Sequence, residues 1–399
     1  MDSTLNFYGL GIAPKIIETL NRLRFKIPTP IQHKAIPMAI EGQDIIGVAQ
    51  TGTGKTLAFA IPTIQHLAQN NKRALVLVPT RELALQVEET MIKIAQPFGI
   101  RTVVLIGGDP IHKQIQILHK NPRIIIATPG RLIDLMQQKK IQLWNVNILI
   151  LDEADRMLDM GFAPQIEIIL RSVPRERQTM LFSATMPPQI VRMASSYMKI
   201  PVSVEMAPSG TSPEKVTHEL FIVSRETKKA LLIKLLTQHR GSVLLFCRTK
   251  IGASKIARLL RDGGHSAAEI HSDRSLSQRR QALDGFKSGK HRVLVATDIA
   301  ARGIDVQAIE TVINFDLPED AENYVHRIGR TGRAGRPGHA ISFATPDQKN
   351  DVLNIEKLTK TALPVSRHPE IPPAEFDKPR SFTAVRLRSR RGHSFGRRR

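Results

Sequence analysis

Two clusters in this chain combine residue types and spacing suited to phosphate chemistry. The first, Ala49-Gln50-Thr51-Gly52-Thr53-Gly54-Lys55-Thr56, follows the apolar run Ile45-Ile46-Gly47-Val48 and opens into a helical pattern marked by Leu57, Ala60 and Ile61. A strand, a glycine loop and a helix start in that order form a cradle. Gly52 and Gly54 let backbone N–H groups close round a triphosphate at a helix N-terminus, Lys55 reaches the β and γ phosphates, and the Thr56 hydroxyl can ligate Mg²⁺. The strict form of this pattern has glycine at position 49, where this chain has alanine. The second cluster, Asp152-Glu153-Ala154-Asp155, leaves the C-terminal end of the apolar run Ile148-Leu149-Ile150-Leu151, the edge at which open parallel sheets keep their ligands. There Asp152 can hold Mg²⁺ through water, and Glu153 can orient a water toward the γ phosphate. Together the two clusters predict a nucleoside triphosphatase.

Three further groups surround that centre. Gln32, with an amide donor and an acceptor, can read both hydrogen-bonding positions of an adenine edge, with Phe25 or Phe7 against the ring. Pro79-Thr80-Arg81-Glu82 and Thr128-Pro129-Gly130-Arg131 are helix starts that carry an arginine. Thr128 suits the N-cap and Pro129 the first helical position. With Gly107-Gly108 between them, such starts can seat the successive phosphates of one nucleic-acid strand. Finally, His326-Arg327-Ile328-Gly329-Arg330-Thr331-Gly332-Arg333 sets arginines at a three-residue step in a glycine-permitted turn. Arg330 and Arg333 are expected to reach across a cleft and stabilise charge on a transferring phosphoryl group. For Arg327 RNA phosphate binding stands as an alternative.

The elements needed to position these groups are an alternation of short buried strands and helices. Apolar runs at 74–78, 103–106, 124–127, 148–151 and 180–182 predict one parallel sheet, and runs at 243–246, 267–270, 293–296, 312–315 and 340–343 predict another without a phosphate loop. The expected organisation is a first domain of residues 44–206 joined by the adenine-reading segment 1–43, a linker at 207–216 rich in proline and small polar residues, and a second domain at 217–365. A disordered basic tail is expected at 366–399.

Composition narrows the partner. A formal charge of +22 calls for a polyanion, and 5% aromatic content argues for backbone contacts over base stacking. The single cysteine, Cys247, excludes internal disulfides and cysteine-built zinc sites, points to a reducing compartment, and reads as a small buried hydrophobe. No apolar run approaches transmembrane length, and the stretch from Met1 to Asn6 lacks the basic and apolar regions of a secretory signal. The expectation is a cytoplasmic protein with no membrane contact.

With these pieces in place, the chain closely resembles the DEAD-box ATP-dependent RNA helicases, and within them the bacterial RhlE-like type. The resemblance runs from Phe7 to about Pro364. It rests on the Phe25–Gln32 segment, the loop at 49–56, Pro79 to Gln86, Gly107-Gly108, Thr128 to Arg131, Asp152 to Asp155, Ser183-Ala184-Thr185, Phe246 to Thr249, Ala296 to Asp305 and His326 to Arg333. It implies two RecA-like P-loop domains that close together on ATP, Mg²⁺ and single-stranded RNA. By the same resemblance Ser183 and Thr185, with Asp155, His326 and Arg327, couple the acidic cluster to closure. Asp305 contacts the ribose, and Thr249, Arg279, Thr297 and Gly303 join Arg81, Gly108, Thr128, Pro129 and Arg131 in holding RNA. The RhlE-like subtype rests on Asp155-Arg156-Met157-Leu158-Asp159-Met160-Gly161-Phe162, whose methionines are expected in the core.

The chain departs from the family pattern twice: Arg24 stands where the family has glycine, and Leu276 stands where it has the glutamine three residues before Arg279. Ribosomal or RNA-decay proteins are conceivable partners. Rival readings are a processive DNA translocase on the same architecture, and an RNA chaperone whose ATPase only gates release.

Overall fold

The structure, a computed structural model, describes residues 6–49, 52–206, 216–301, 309–332 and 337–377. Gln50, Thr51, Gly303, Asp305 and Arg333, together with linker residues 207–215 and the tail from 378, lie outside the described residues.

Two parallel sheets organise the chain. The first contains β1 (Ile45–Val48), β2 (Arg73–Leu77), β3 (Thr102–Leu105), β4 (Ile124–Ala127), β5 (Val146–Leu151), β6 (Gln178–Ser183) and β7 (Val202–Glu205). Its strand order is β3-β4-β2-β5-β6-β1-β7. The second contains β8 (Val216–Ile222), β9 (Val243–Phe246), β10 (Ala267–Ile270), β11 (Val293–Ala296), β12 (Thr311–Asn314) and β13 (Gly338–Ala344), in the order β10-β11-β9-β12-β13-β8. In the first sheet, alternate side chains of one strand feed opposite cores: Ala74 and Val76 pack on one face, Leu75 and Leu77 on the other. This explains the continuous apolar runs of the inner strands, since helices cover both faces and nearly every position there is buried.

In each sheet the order places the strands carrying chemistry side by side. β1, which leads into the phosphate loop, pairs with β6, and β6 pairs with β5, which ends at Asp152. β2 and β4, which lead into Arg81 and Thr128, are neighbours. Helices Pro14–Arg22 and Pro30–Ile40 of the N-terminal segment pack into the first domain's core through Ile16, Leu20, Ile31, Ala35 and Ile36.

The structure corrects several expectations. Phe7 is 3% exposed within that core, so it cannot face an adenine ring. Val216 belongs to β8 instead of the linker. Residues 366–377 are not tail: Ser366 and Ala374 donate backbone hydrogen bonds to Leu220 and Ile222 on the edge strand β8, and Ile371 is buried in the second domain's core. Arg24 has φ +65°, the left-handed backbone that explains why glycine suits this position.

Candidate active site and RNA groove

The phosphate loop is pre-shaped around its own residues. The Lys55 ammonium, 6% exposed, donates to the Ala49 carbonyl at 2.9 Å. Gly54 has φ +91° and provides the N-cap position of helix Lys55–Gln69. A Cβ on Gly54 would overlap the Gln32 amide, because Gln32 Nε2 donates to the Gly54 carbonyl at 2.9 Å. Gln32 Oε1 accepts from Thr29 N–H at 2.9 Å, closing a capping box at the start of helix Pro30–Ile40. Gln32 thus ties the base-reading segment directly to the phosphate loop, and one donor and one lone pair of its amide remain for a base edge. Phe25, 40% exposed, is the aromatic available for stacking.

Behind the loop lie four buried ionisable groups. Asp152, Glu153, Asp155 and Arg156 are each 3% exposed or less. Burial pushes the Asp152 carboxyl up to about 6, against the pull of Lys55 and with the help of Glu153. Burial also works against ionisation of Glu153, but Arg156, Lys55 and Arg330 outweigh it and leave its carboxyl below the ordinary glutamate range. Arg156 Nη1 lies 2.9 Å from Glu153 Oε2. Glu153 itself is held at φ +52°, a left-handed conformation uncommon outside glycine and of the kind that clusters at functional sites.

Asp155 connects this centre to the end of β6. Its Oδ2 accepts from Ala184 N–H at 3.0 Å, from Thr185 N–H at 2.9 Å and from the Thr185 hydroxyl at 3.1 Å, while its own N–H donates to the Ser183 hydroxyl at 3.2 Å. From the second domain His326 and Arg330 line a small cavity with Arg156, and from there they pull the carboxyls of Asp155 and Glu153 down. Burial and the nearby Arg156 hold the His326 imidazole well below its usual range, so it is neutral at pH 7.

Arg327, the residue after His326, takes a different part. Its guanidinium, 2% exposed, grips Asp298 through both carboxylate oxygens at 2.5 and 2.6 Å, donates to Asn314 at 3.1 Å and to the Asp316 carbonyl at 2.6 Å, and lies over the Phe246 ring at 5.0 Å. It holds the segment together from within, which removes it from the RNA-facing alternative. Sequence reasoning assigned no role to Arg156 or Asp298.

A groove open to solvent runs across both domains, lined by Arg81, Gly107, Thr128, Arg131, Met160, Phe162, Ser272 and Arg279. The Arg81 guanidinium sits over Gly107-Gly108, where a Cβ on Gly108 would collide with it and where φ is +82°. Arg131 donates to the Asp109 carbonyl at 3.2 Å. Thr128 occupies the N-cap position with Pro129 first in the helix, but its side chain makes no capping bond and lines the groove instead. Thr249 does cap its helix, accepting from Gly252 N–H at 3.0 Å. Thr249 follows β9 and Thr297 follows β11, two paired strands. Met157 is buried as expected; Met160 is in the groove wall, not in the core.

Comparison with known proteins matches this arrangement. The DEAD/DEAH box helicase family covers residues 29–193, and the helicase conserved C-terminal domain covers residues 227–335. The DEAD-box ATP-dependent RNA helicase CshA of Bacillus subtilis is 42% identical over 389 residues, 97% of this chain and 78% of its own length. The chain belongs to the DEAD-box ATP-dependent RNA helicases. These are ATP-hydrolysing enzymes, and the fold of this member is two tandem RecA-like domains. The ATP-dependent rRNA helicase RRP3 of Yarrowia lipolytica is 42% identical over 359 residues, 89% of this chain and 75% of its own. Among solved structures, S. cerevisiae Dbp5 bound to RNA and ADP BeF3 is similar with a TM-score of 0.80 and 31% identity, covering 90% of this chain and 95% of that one. Mss116p bound to ssRNA and AMP-PNP has a TM-score of 0.82 at 28% identity, covering 90% and 78%. The RhlE-like subtype rests on the Asp155–Phe162 stretch alone.

Proposed function

We propose that this DEAD-box protein uses ATP hydrolysis to unwind and remodel short RNA duplexes locally, holding single-stranded RNA through its backbone. One observation carries the reading: Arg156 of the first domain lines one small cavity with His326 and Arg330 of the second, whose charges act on the buried Asp155 and Glu153, and both domains also line the groove. The hydrolytic centre is therefore complete only when the domains meet over that groove.

Lys55 and the loop bind the phosphates, with the Lys55 ammonium exchanging the Ala49 carbonyl for phosphate oxygens, while Gln32 and Phe25 hold adenine. Three carboxylates around a single loop lysine, together with the Thr56 hydroxyl, form a hard oxygen donor set that suits Mg²⁺. Thr56 and Asp152 would hold it, and when bound it neutralises charge on the phosphoryl oxygens. Glu153 orients the attacking water and takes its proton. Arg330, with Arg333, stabilises charge in the transition state. Asp155 passes the state of the site to Ser183 and Thr185. Arg81, Gly108, Thr128, Pro129, Arg131, Thr249, Arg279, Thr297 and Gly303 bind RNA, and Asp305 the ribose. Closing the domains bends the bound strand so that pairing is lost, and hydrolysis resets the pair. A single cysteine, buried and unpaired, fits action in the cytoplasm.

The test is ATP turnover with and without single-stranded RNA, alongside release of one strand from a short labelled duplex. Stimulation by RNA of unrelated sequences and ATP-dependent release are expected. Turnover indifferent to RNA would overturn the proposal.

A further inference from the structure

The second contact between the domains lies away from the nucleotide. Helix Arg81–Ala95 of the first domain starts in the RNA groove, and helix Leu276–Lys287 of the second docks against it. Arg279 Nη2 lies 2.8 Å from Glu82 Oε2, with both side chains nearly buried. Further along, Arg280 acts on Glu88 and Lys287 on Glu89. Leu276, Arg279, Arg280 and Lys287 are spaced at 3, 4 and 11 residues from the first, which places them along one helical face. Leu276, although it belongs to the second domain, packs against the hydrophobic core cluster of the first, to which the facing helix contributes Leu83, Ala84, Val87 and Met91. On the same first-domain helix the Gln86 Nε2 is buried without a hydrogen-bond partner among the described residues.

Leu276 occupies the position at which the family pattern has glutamine. An amide there would bring polar atoms that need hydrogen-bond partners against an apolar cluster; a leucine gives burial alone. We propose that Leu276 is a positioning residue for RNA-stimulated hydrolysis, acting as an apolar anchor that this chain uses in place of an amide to hold the domains closed. It acts through the Glu82–Arg279 pair and helix Arg81–Ala95, whose first residue contacts the groove. Closure therefore strengthens the seat for RNA, and RNA favours closure, because the same helix end serves both.

The inference rests on the function proposed above, and the experiment separates the two. Cys247 is fully buried, so a donor and an acceptor dye can be placed on cysteines introduced at the exposed surface positions Glu167 and Arg258. Energy transfer then reports closure in the presence of RNA and a non-hydrolysable ATP analogue, and ATP turnover is titrated with RNA in parallel. Half-burial of a leucine corresponds to roughly a three- to tenfold effect. Leu276→Gln is therefore expected to raise the RNA concentration for half-maximal turnover about fivefold, lower the closed fraction at subsaturating RNA, and change the rate at saturating RNA much less. Leu276→Met should behave like the wild type. Unchanged thermal unfolding of Leu276→Gln separates lost closure from lost folding, since the residue is exposed on the second domain when the domains part. Wild-type turnover that ignores RNA would sink the function itself. If the wild type responds but Leu276→Gln matches it or closes better, or if Leu276→Met fails equally, the apolar anchor is wrong.

Discussion

Replacing Glu153 by glutamine separates the two functions of this carboxylate. The substitution keeps shape and an acceptor oxygen but removes the charge, both as proton acceptor and as partner of Arg156 2.9 Å away. Losing a positioned general base costs about 10²- to 10⁴-fold in rate, so turnover should fall by that factor. The lost ion pair acts on stability. Arg156 is 1% exposed, and stripping a buried charge of its partner costs about 3–5 kcal/mol in the worst case. Here Arg156 remains in the field of Asp155, so about 2 kcal/mol is the better figure, in line with a charged hydrogen bond. For a domain of this size that lowers Tm by about 4–8 °C. Phosphate binding should survive, because Lys55, Thr56 and Asp152 are untouched. Steady-state ATP turnover with saturating RNA, RNA affinity in the presence of a non-hydrolysable ATP analogue, and a thermal scan give the three readouts. Turnover near the wild-type level would refute the assignment of Glu153. Lost turnover with lost nucleotide binding would instead mean that the charge holds the site together and does no chemistry.

Four other outcomes follow from the same geometry. Arg330→Ala should lower turnover by roughly 10³-fold or more, the scale of an arginine finger, with much less effect on ATP affinity; equal losses in both would place Arg330 in ground-state binding. Gln32→Ala should weaken ATP use and narrow its preference over GTP, and a wild type that hydrolyses GTP as well as ATP would contradict base reading by Gln32. Arg24→Gly should raise stability by about 0.5–1 kcal/mol, because it relieves a left-handed backbone at φ +65° partly offset by chain entropy; a thermal scan with no gain or a loss would contradict this. Deleting residues 378–399, which hold nine Lys and Arg and no acid, should flatten the slope of log K against log salt for single-stranded RNA by about 3, at roughly 0.7 for each of about four contacts, and an unchanged slope would retire the segment as an RNA tether.

Legibility in the sequence followed burial. Strands covered on both faces, such as β4 and β9, are unbroken apolar runs and stand out. The edge strands β7 and β8 carry polar residues on their open side, Ser203 and Glu205 in one and Thr217 in the other, so neither reads as a strand. The phosphate loop and the acidic cluster are contiguous motifs with fixed spacing. Asp298 and Arg327 form an equally important contact 29 residues apart, and nothing in either residue's surroundings announces the other. Phe7 and Phe25 are alike in sequence, and only packing sends one into the core and leaves the other at the surface. The prolines between 364 and 373 read as disorder because proline lacks an N–H, yet Ser366 and Ala374 carry the donors that fasten this stretch to β8.

The distribution of charge explains why closure and chemistry are one event. The first domain concentrates Asp152, Glu153 and Asp155 within a buried space whose own cations are Lys55 and Arg156. Three carboxylates share two cations there, and burial, with a smaller push from Glu153, has already raised Asp152. Arg330 lowers the cost of keeping Glu153 ionised only when the second domain is present, and a carboxylate must be ionised to accept a proton from water. The second domain therefore adds, after Arg156 and Lys55, to the positive field that keeps Glu153 ionised. Asp155 makes the dependence mutual, because the oxygen that holds Ala184 and Thr185 belongs to the carboxylate that His326 approaches. The His326 imidazole, kept neutral by burial, brings no further buried charge into this centre.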